Sequence, residues 1–165
     1  MMEPESSKQT QPLAKAEVFN CLDELRQLEL LKIVLSQGIR LRMTAYGASM
    51  FPFIRDGDVV TISPLTDPIL HVGEIVAFER PETQQLVIHR VIRSTLRGYV
   101  IKGDRTSASD GEIPLQNILG KITKIERKDK NANFGISKAG KWIALLSRGL
   151  ILQKLRLFFP LLDWF

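Results

Sequence analysis

The sequence is poor in cysteine, in aromatic rings and in long apolar runs, and each shortage closes off a class of protein. Cys21 is the single cysteine among 165 residues. No disulfide can therefore form within the chain, and a thiolate-rich structural zinc site is excluded. Cys21 falls in an amphipathic helical pattern and is expected to be buried as a small apolar residue. Aromatic residues make up 7% of the chain. The positive charge is thus not interleaved with stacking rings, as single-strand nucleic-acid binders require. With no zinc-finger spacing and no helix-turn-helix pattern ahead of the β-rich region, nucleic acid is not an expected partner. No uncharged apolar run reaches the roughly 18–20 residues of a spanning helix. Residues 1–14 include Glu3, Glu5, Ser6, Ser7, Lys8 and Pro12 and show no secretory h-region.

What is present is a basic, moderately apolar chain. The formal net charge is +5 and 44% of residues are hydrophobic, which excludes a disordered chain and fits one domain with modest appendages. A basic balance without nucleic-acid signatures points to an anionic membrane surface as a possible partner.

Hydropathy divides the chain into five parts. Residues 1–14 read as a disordered tail. Residues 15–38 read as an amphipathic helix, with Phe19, Leu22, Leu25, Leu28, Leu31 and Leu35 at three- and four-residue steps and Gly38 placed to end it. Residues 39–127 change to period two and short apolar runs. Strands are expected at 39–44, 59–63, 74–79, 86–93, 99–102 and 118–126, separated by turn signals such as Asp56-Gly57-Asp58, Arg80-Pro81 and Arg97-Gly98. Six short strands at this spacing suggest a compact barrel or folded sheet. Residues 128–141 read as a linker. Residues 142–165 form an apolar, basic helical tail, broken at Pro160, that suits a membrane interface. With no span and no leader in view, a peripheral-membrane or cytoplasmic location is expected.

Three segments of the β region carry chemistry. The first runs from Tyr46 through Gly47-Ala48-Ser49-Met50-Phe51-Pro52. The second is Val87-Ile88-His89-Arg90-Val91. The third is Lys102-Gly103-Asp104 with Asp110 behind it. A serine hydroxyl is a weak nucleophile until a base takes its proton, and histidine suits that task near neutral pH. A carboxylate on the far ring nitrogen fixes the tautomer, and backbone donors must meet the developing oxyanion. Ser49 follows two small residues that leave its main chain approachable. His89 lies inside an apolar strand, where a polar ring needs a reason. Asp104 and Asp110 lie in a loop directly after a strand.

These boxes resemble, in order, those of the signal peptidase I and repressor-cleaving superfamily. Gly47-Ala48-Ser49-Met50-Phe51-Pro52 with Gly57-Asp58 looks like the nucleophile box. Val72-Gly73-Glu74-Ile75-Val76 looks like the next box, with Glu74 in place of an aspartate. Ile88-His89-Arg90-Val91 is similar to the histidine box of the Ser–His signal peptidases of the endoplasmic reticulum, archaea and sporulating bacteria. Lys102-Gly103-Asp104 with Asp110 resembles the closing box, and Leu119-Gly120-Lys121-Ile122 the final strand.

The resemblance implies a mainly β, compact signal-peptidase-like domain with an N-terminal helix and a C-terminal helical tail. It implies a serine endopeptidase acting on a peptide or pre-protein without metal or organic cofactor. Ser49 would be the nucleophile and the source of one oxyanion donor through its backbone N–H. His89 would be the general base. Asp110 would orient the histidine, with Asp104 as the second candidate for that role. Two alternatives share the fold: a catalytically silent peptide-binding or membrane-associated module, and a self-cleaving regulator, for which a lysine would be expected at the position of His89.

Overall fold

A computed structural model describes residues 13–14, 23–128, 130–132, 136, 140–141 and 144. These residues form a curled half-barrel sheet with one helix packed against it. The strands are β1 (Leu13–Ala14), β2 (Arg40–Thr44), β3 (Val59–Ser63), β4 (Ile75–Glu79), β5 (Leu86–Ser94), β6 (Tyr99–Lys102), β7 (Glu112–Ile113), β8 (Ile118–Arg127) and β9 (Lys130–Asn131); the helix, α1, is Glu24–Ser36. Their order across the sheet is β1-β2-β3-β8-β4-β5-β6-β7, with β9 also paired to β8. Every pairing is antiparallel except β1 with β2.

The helix starts where Asp23 caps it, its carboxylate accepting the N–H of Arg26 at 2.9 Å. It stops at Gly38, whose φ of 77° suits the left-handed turn that ends helices. Leu28, Leu31 and Leu35 are the face it buries. Leu31 and Leu35 pack with Leu41, Met43, Val60, Ile62, Ile122 and Ile125 from the sheet. Side chains alternate along a strand, and β4 exploits both faces: Ile75 and Ala77 enter this core, while Val76 and Phe78 enter a second one with Val91, Tyr99, Ile101 and Ile113. A strand buried on both sides is what a continuous apolar run signals.

All six expected strands are present, with ends that move by one residue. The short pieces β7 and β9 and the 3₁₀ turn Leu115–Asn117 were not legible in the pattern, because two or three residues carry no periodicity. Leu13–Ala14, expected within a tail, pair with β2. In the stretch expected as a linker, β9 pairs with β8, Ala132 and Ile136 pack on the core, and Gly140 is buried. Gly140 lies so close to Gly73 that a side chain on either would strike the other's backbone. Ala144 is buried beside Ile92 and Val100. Residues 1–12, the part of the expected helix at 15–22 with Cys21, and the rest of the apolar tail at 142–143 and 145–165 lie outside the described residues. The membrane-surface expectation for that tail lies outside them too. No described helix is long and apolar enough to cross a membrane.

Leu31→Ala should cost about 2–5 kcal/mol of stability, whereas Leu25→Ala, at a largely exposed position, should stay within about 0.5 kcal/mol of the parent. Urea denaturation of the two variants measures both.

Candidate active site

Ser49 sits in the loop that joins β2 to β3. Backbone bonds close its neck: the Ala45 N–H donates to Asp58 O at 2.8 Å and the Gly57 N–H to Ala45 O at 2.9 Å. The Gly47 N–H donates to the Asp56 carboxylate at 2.8 Å, and Gly47 holds a φ of 89° that a side-chain-bearing residue would resist. Met50 and Ile54 are buried and anchor the loop in the core. Asp58 braces it from beneath. Its carboxylate accepts two bonds from the Arg127 guanidinium, at 2.9 and 2.7 Å, and one from the Arg55 N–H at 2.8 Å. The hydrogen bond to Asp58 also holds the Arg127 pKa above its ordinary value.

His89 stands in mid-β5 opposite Val76, its ring buried near Phe78. Its Nε2 lies 2.9 Å from the Ser49 hydroxyl oxygen, across 40 positions of sequence. Its Nδ1 lies 2.6 Å from Asp110 Oδ2. The loop after β6 delivers Asp110, whose N–H donates to Ile101 O at 2.9 Å. The same loop is tied to Ser49, because the Arg105 N–H donates to Ser49 O at 2.7 Å. Gly103, at the start of this loop, allows the approach: a Cβ there would stand 2.9 Å from His89 Nε2 and 2.8 Å from Ser49 O.

Burial would raise the Asp110 pKa, but the hydrogen bonds and charges of His89 and Arg80 outweigh it and hold the carboxyl below its ordinary value. An ionised carboxylate can only accept. The proton between Asp110 and His89 therefore belongs to Nδ1, which leaves the Nε2 lone pair to accept the Ser49 O–H. Serine, imidazole and carboxylate are thus aligned in the order that general-base activation of an alcohol requires.

Asp104, the other aspartate singled out in the sequence, does not meet the histidine. Its two oxygens accept Nε–H and Nη2–H of Arg90, each at 2.7 Å, and both side chains are almost wholly buried. Arg90 also donates to Gly73 O at 2.8 Å and lies against the Phe53 ring. His89 and Arg90 are consecutive on a strand and point to opposite faces. One reaches the Ser49 hydroxyl, and the other clamps the loop from behind. Glu74, the departure from the expected box, accepts Lys121 Nζ–H at 2.8 Å and the His71 N–H at 3.0 Å.

Arg80 is the site residue that sequence reasoning missed. It marked only a turn, yet its guanidinium donates to Asp110 Oδ1 at 2.5 Å while His89 takes the other oxygen. Its place is fixed by the β4–β5 hairpin, where the Arg80 N–H donates to Gln85 O and the Gln84 N–H to Arg80 O. Nothing local announces a partner 30 positions away.

A groove of about 350 Å³ has Ser49 in its lining, with apolar Met43, Met50, Ile54, Leu86 and Ile88 and polar Gln27, Thr44 and Gln85 around it. β6 pairs with β5 only from Arg90 onward, so the far edge of Leu86–Ile88 has no strand beside it among the described residues. No described cluster of His, Cys, Asp or Glu could hold a metal ion. No protein-family model matches the chain, and no curated protein matches it.

The two aspartates should separate experimentally. Asp104→Asn strands a buried guanidinium and should cost roughly 3–5 kcal/mol in denaturant unfolding. Asp110 has a depressed folded-state pKa, so its ionised form adds stability that is complete above the ordinary carboxylate range and is lost as pH falls through the folded value. The stability gap between wild type and Asp110→Asn should therefore be present at neutral pH and shrink below about pH 4.

Proposed function

We propose that the chain is a serine endopeptidase of the signal-peptidase type, acting on a peptide or pre-protein through Ser49, His89 and Asp110. The observation that carries this reading is the 2.9 Å approach of His89 Nε2 to the Ser49 hydroxyl, with Asp110 on the opposite ring nitrogen. The groove that includes Ser49 in its lining and the ordered motif resemblance across residues 38–126 support it.

A substrate strand would add to the open edge of β5 at Leu86–Ile88, taking main-chain bonds from the edge and placing alternate side chains in the groove. His89 Nε2 then removes the Ser49 proton as Oγ attacks the peptide carbonyl carbon. The tetrahedral oxyanion meets the Ser49 N–H, which has no acceptor among the described residues. The intermediate collapses, the C–N bond breaks, and the imidazolium returns its proton to the leaving amine. Water, deprotonated by the same imidazole, attacks the acyl-enzyme ester and releases Ser49 with a new carboxylic acid. Asp110, held ionised by its bonds from His89 and Arg80, stabilises the imidazolium in both halves. Every proton in this route moves between side chains, substrate and water.

Peptide cleavage by Ser49→Ala or His89→Ala should fall by about 10³-fold or more while circular dichroism stays that of the parent. A serine-reactive phosphonate should label wild-type Ser49 but not Ser49→Ala, as read by mass spectrometry. Full cleavage by Ser49→Ala would sink the peptidase reading, and wild-type protein that never labels would favour the catalytically silent module. Gly103→Ala should lose most cleavage as well, because the added methyl enters the space between His89 Nε2 and Ser49 O.

A further inference from the structure

The hairpin between β4 and β5 outruns the sheet that carries it. β8 pairs with β4 only as far as Phe78, and β6 pairs with β5 only from Arg90 onward. From Glu79 and Leu86 outward, the two strands therefore have only each other as strand partners among the described residues. The turn at 81–85 is exposed throughout. A two-stranded ribbon is marginal by itself and draws its order from what its side chains hold. Leu86, Val87 and Ile88 pack, half-buried, on the two cores. Two ion pairs among the described residues reach this end of the hairpin: Lys32 with Glu79 at 2.8 Å, and Arg80 with Asp110 at 2.5 Å.

Arg80 is held at both of its ends. Its main chain closes the turn, the N–H donating to Gln85 O at 2.9 Å and the carbonyl accepting the Gln84 N–H at 2.8 Å. Gln85 begins the run Gln85–Ile88 that lines the groove together with Ser49. The Arg80 side chain leaves the hairpin for a different loop and takes Asp110 Oδ1, while His89 Nδ1 faces Oδ2. Neither Arg80 nor Asp110 is in the groove lining. Asp110 is fixed by its backbone to Ile101 O, but the torsion that turns its carboxylate is soft. Holding Oδ1 with a planar guanidinium fixes where Oδ2 points.

We infer that Arg80 is a positioning residue that joins the groove-lining hairpin to the Asp110 carboxylate, so that a peptide strand docked on Leu86–Ile88 steadies the alignment of His89 as it binds. The inference rests on the peptidase reading for what occupies that edge. A strand added there makes the ribbon three-stranded, and the order it gains passes through the guanidinium to Asp110. Linkage makes the effect reciprocal: loosening Asp110 loosens the hairpin.

The test follows both directions in the resting protein. The His89 Nδ1–H proton, identified by NMR through its loss in His89→Ala, should broaden in Arg80→Gln as its exchange with water quickens. A purely stabilising Arg80 would leave that signal unchanged. Amide exchange across residues 79–88, read by NMR, should speed up roughly tenfold in Arg80→Gln and also in Asp110→Asn, although Asp110 lies in another loop. The double variant should exchange no faster than either single one. Arg80 is only partly buried at the mouth of an exposed turn, so its variants should fold. In peptide cleavage, Arg80→Gln should lower kcat about tenfold, and Arg80→Lys should recover part of the loss. A ring-proton signal unaltered by Arg80→Gln, hairpin exchange unaltered by Asp110→Asn, or effects that multiply in the double variant each overturn the inference. Failure of the peptidase reading shows up separately, as wild-type Ser49 that never labels with the phosphonate while the ring proton and the hairpin still respond to Arg80→Gln.

Discussion

The buried pairing of Arg90 with Asp104 organises the site without taking part in its chemistry. A guanidinium removed from water is tolerable only with a partner of good geometry and with its remaining protons satisfied. Asp104 provides two bonds and Gly73 O a third. The sequence neighbours of this pair are His89 and Gly103. Locking Arg90 to Asp104 therefore brings the imidazole and the glycine together, and the Arg105 N–H bond to Ser49 O brings Ser49 to both. Three chain segments that share no local structure converge because one ion pair leaves them little freedom to do otherwise.

The aspartates divide the labour among themselves. Asp58 and Asp104 each pair with a single guanidinium, one beneath the Ser49 loop and the other behind the His89 strand. Asp110 is shared, with one oxygen on the imidazole and one on Arg80. Sharing keeps it charged while leaving it able to accept from the ring. The carboxylates that hold the loops are thus distinct from the carboxylate that faces the imidazole, although all three use arginine.

The strand framework was legible in the sequence because β2, β3, β4, β5, β6 and β8 are long enough to display alternation or a buried run. α1 was legible from its leucine spacing and from Gly38. Ser49, His89 and Asp110 were legible as an ordered set of boxes, and the structure brings those three together. The choice between Asp104 and Asp110 was not, since both occupy one loop after β6 and either could reach the histidine on spacing alone. Their difference is made by Arg90, whose facing direction depends on the strand register. Arg80 and Arg127 were hidden for the same reason: their partners are remote in the chain or belong to different loops. Short pairings such as β1 and β9 leave no periodic trace at all.

The adjacency of His89 and Arg90 also bears on how β5 finds its place against β4. A shift of one residue in a strand pairing exchanges its two faces. In most strands such a slip trades apolar for polar side chains. Here a slip in one direction would carry the Arg90 guanidinium towards the Ser49 hydroxyl and set Val91 before Asp104, and a slip in the other would leave Asp104 facing an imidazole too short to span both of its oxygens. The alignment of the hairpin is thereby policed by two ionic appointments on opposite sides of one strand, in addition to the grease on either side.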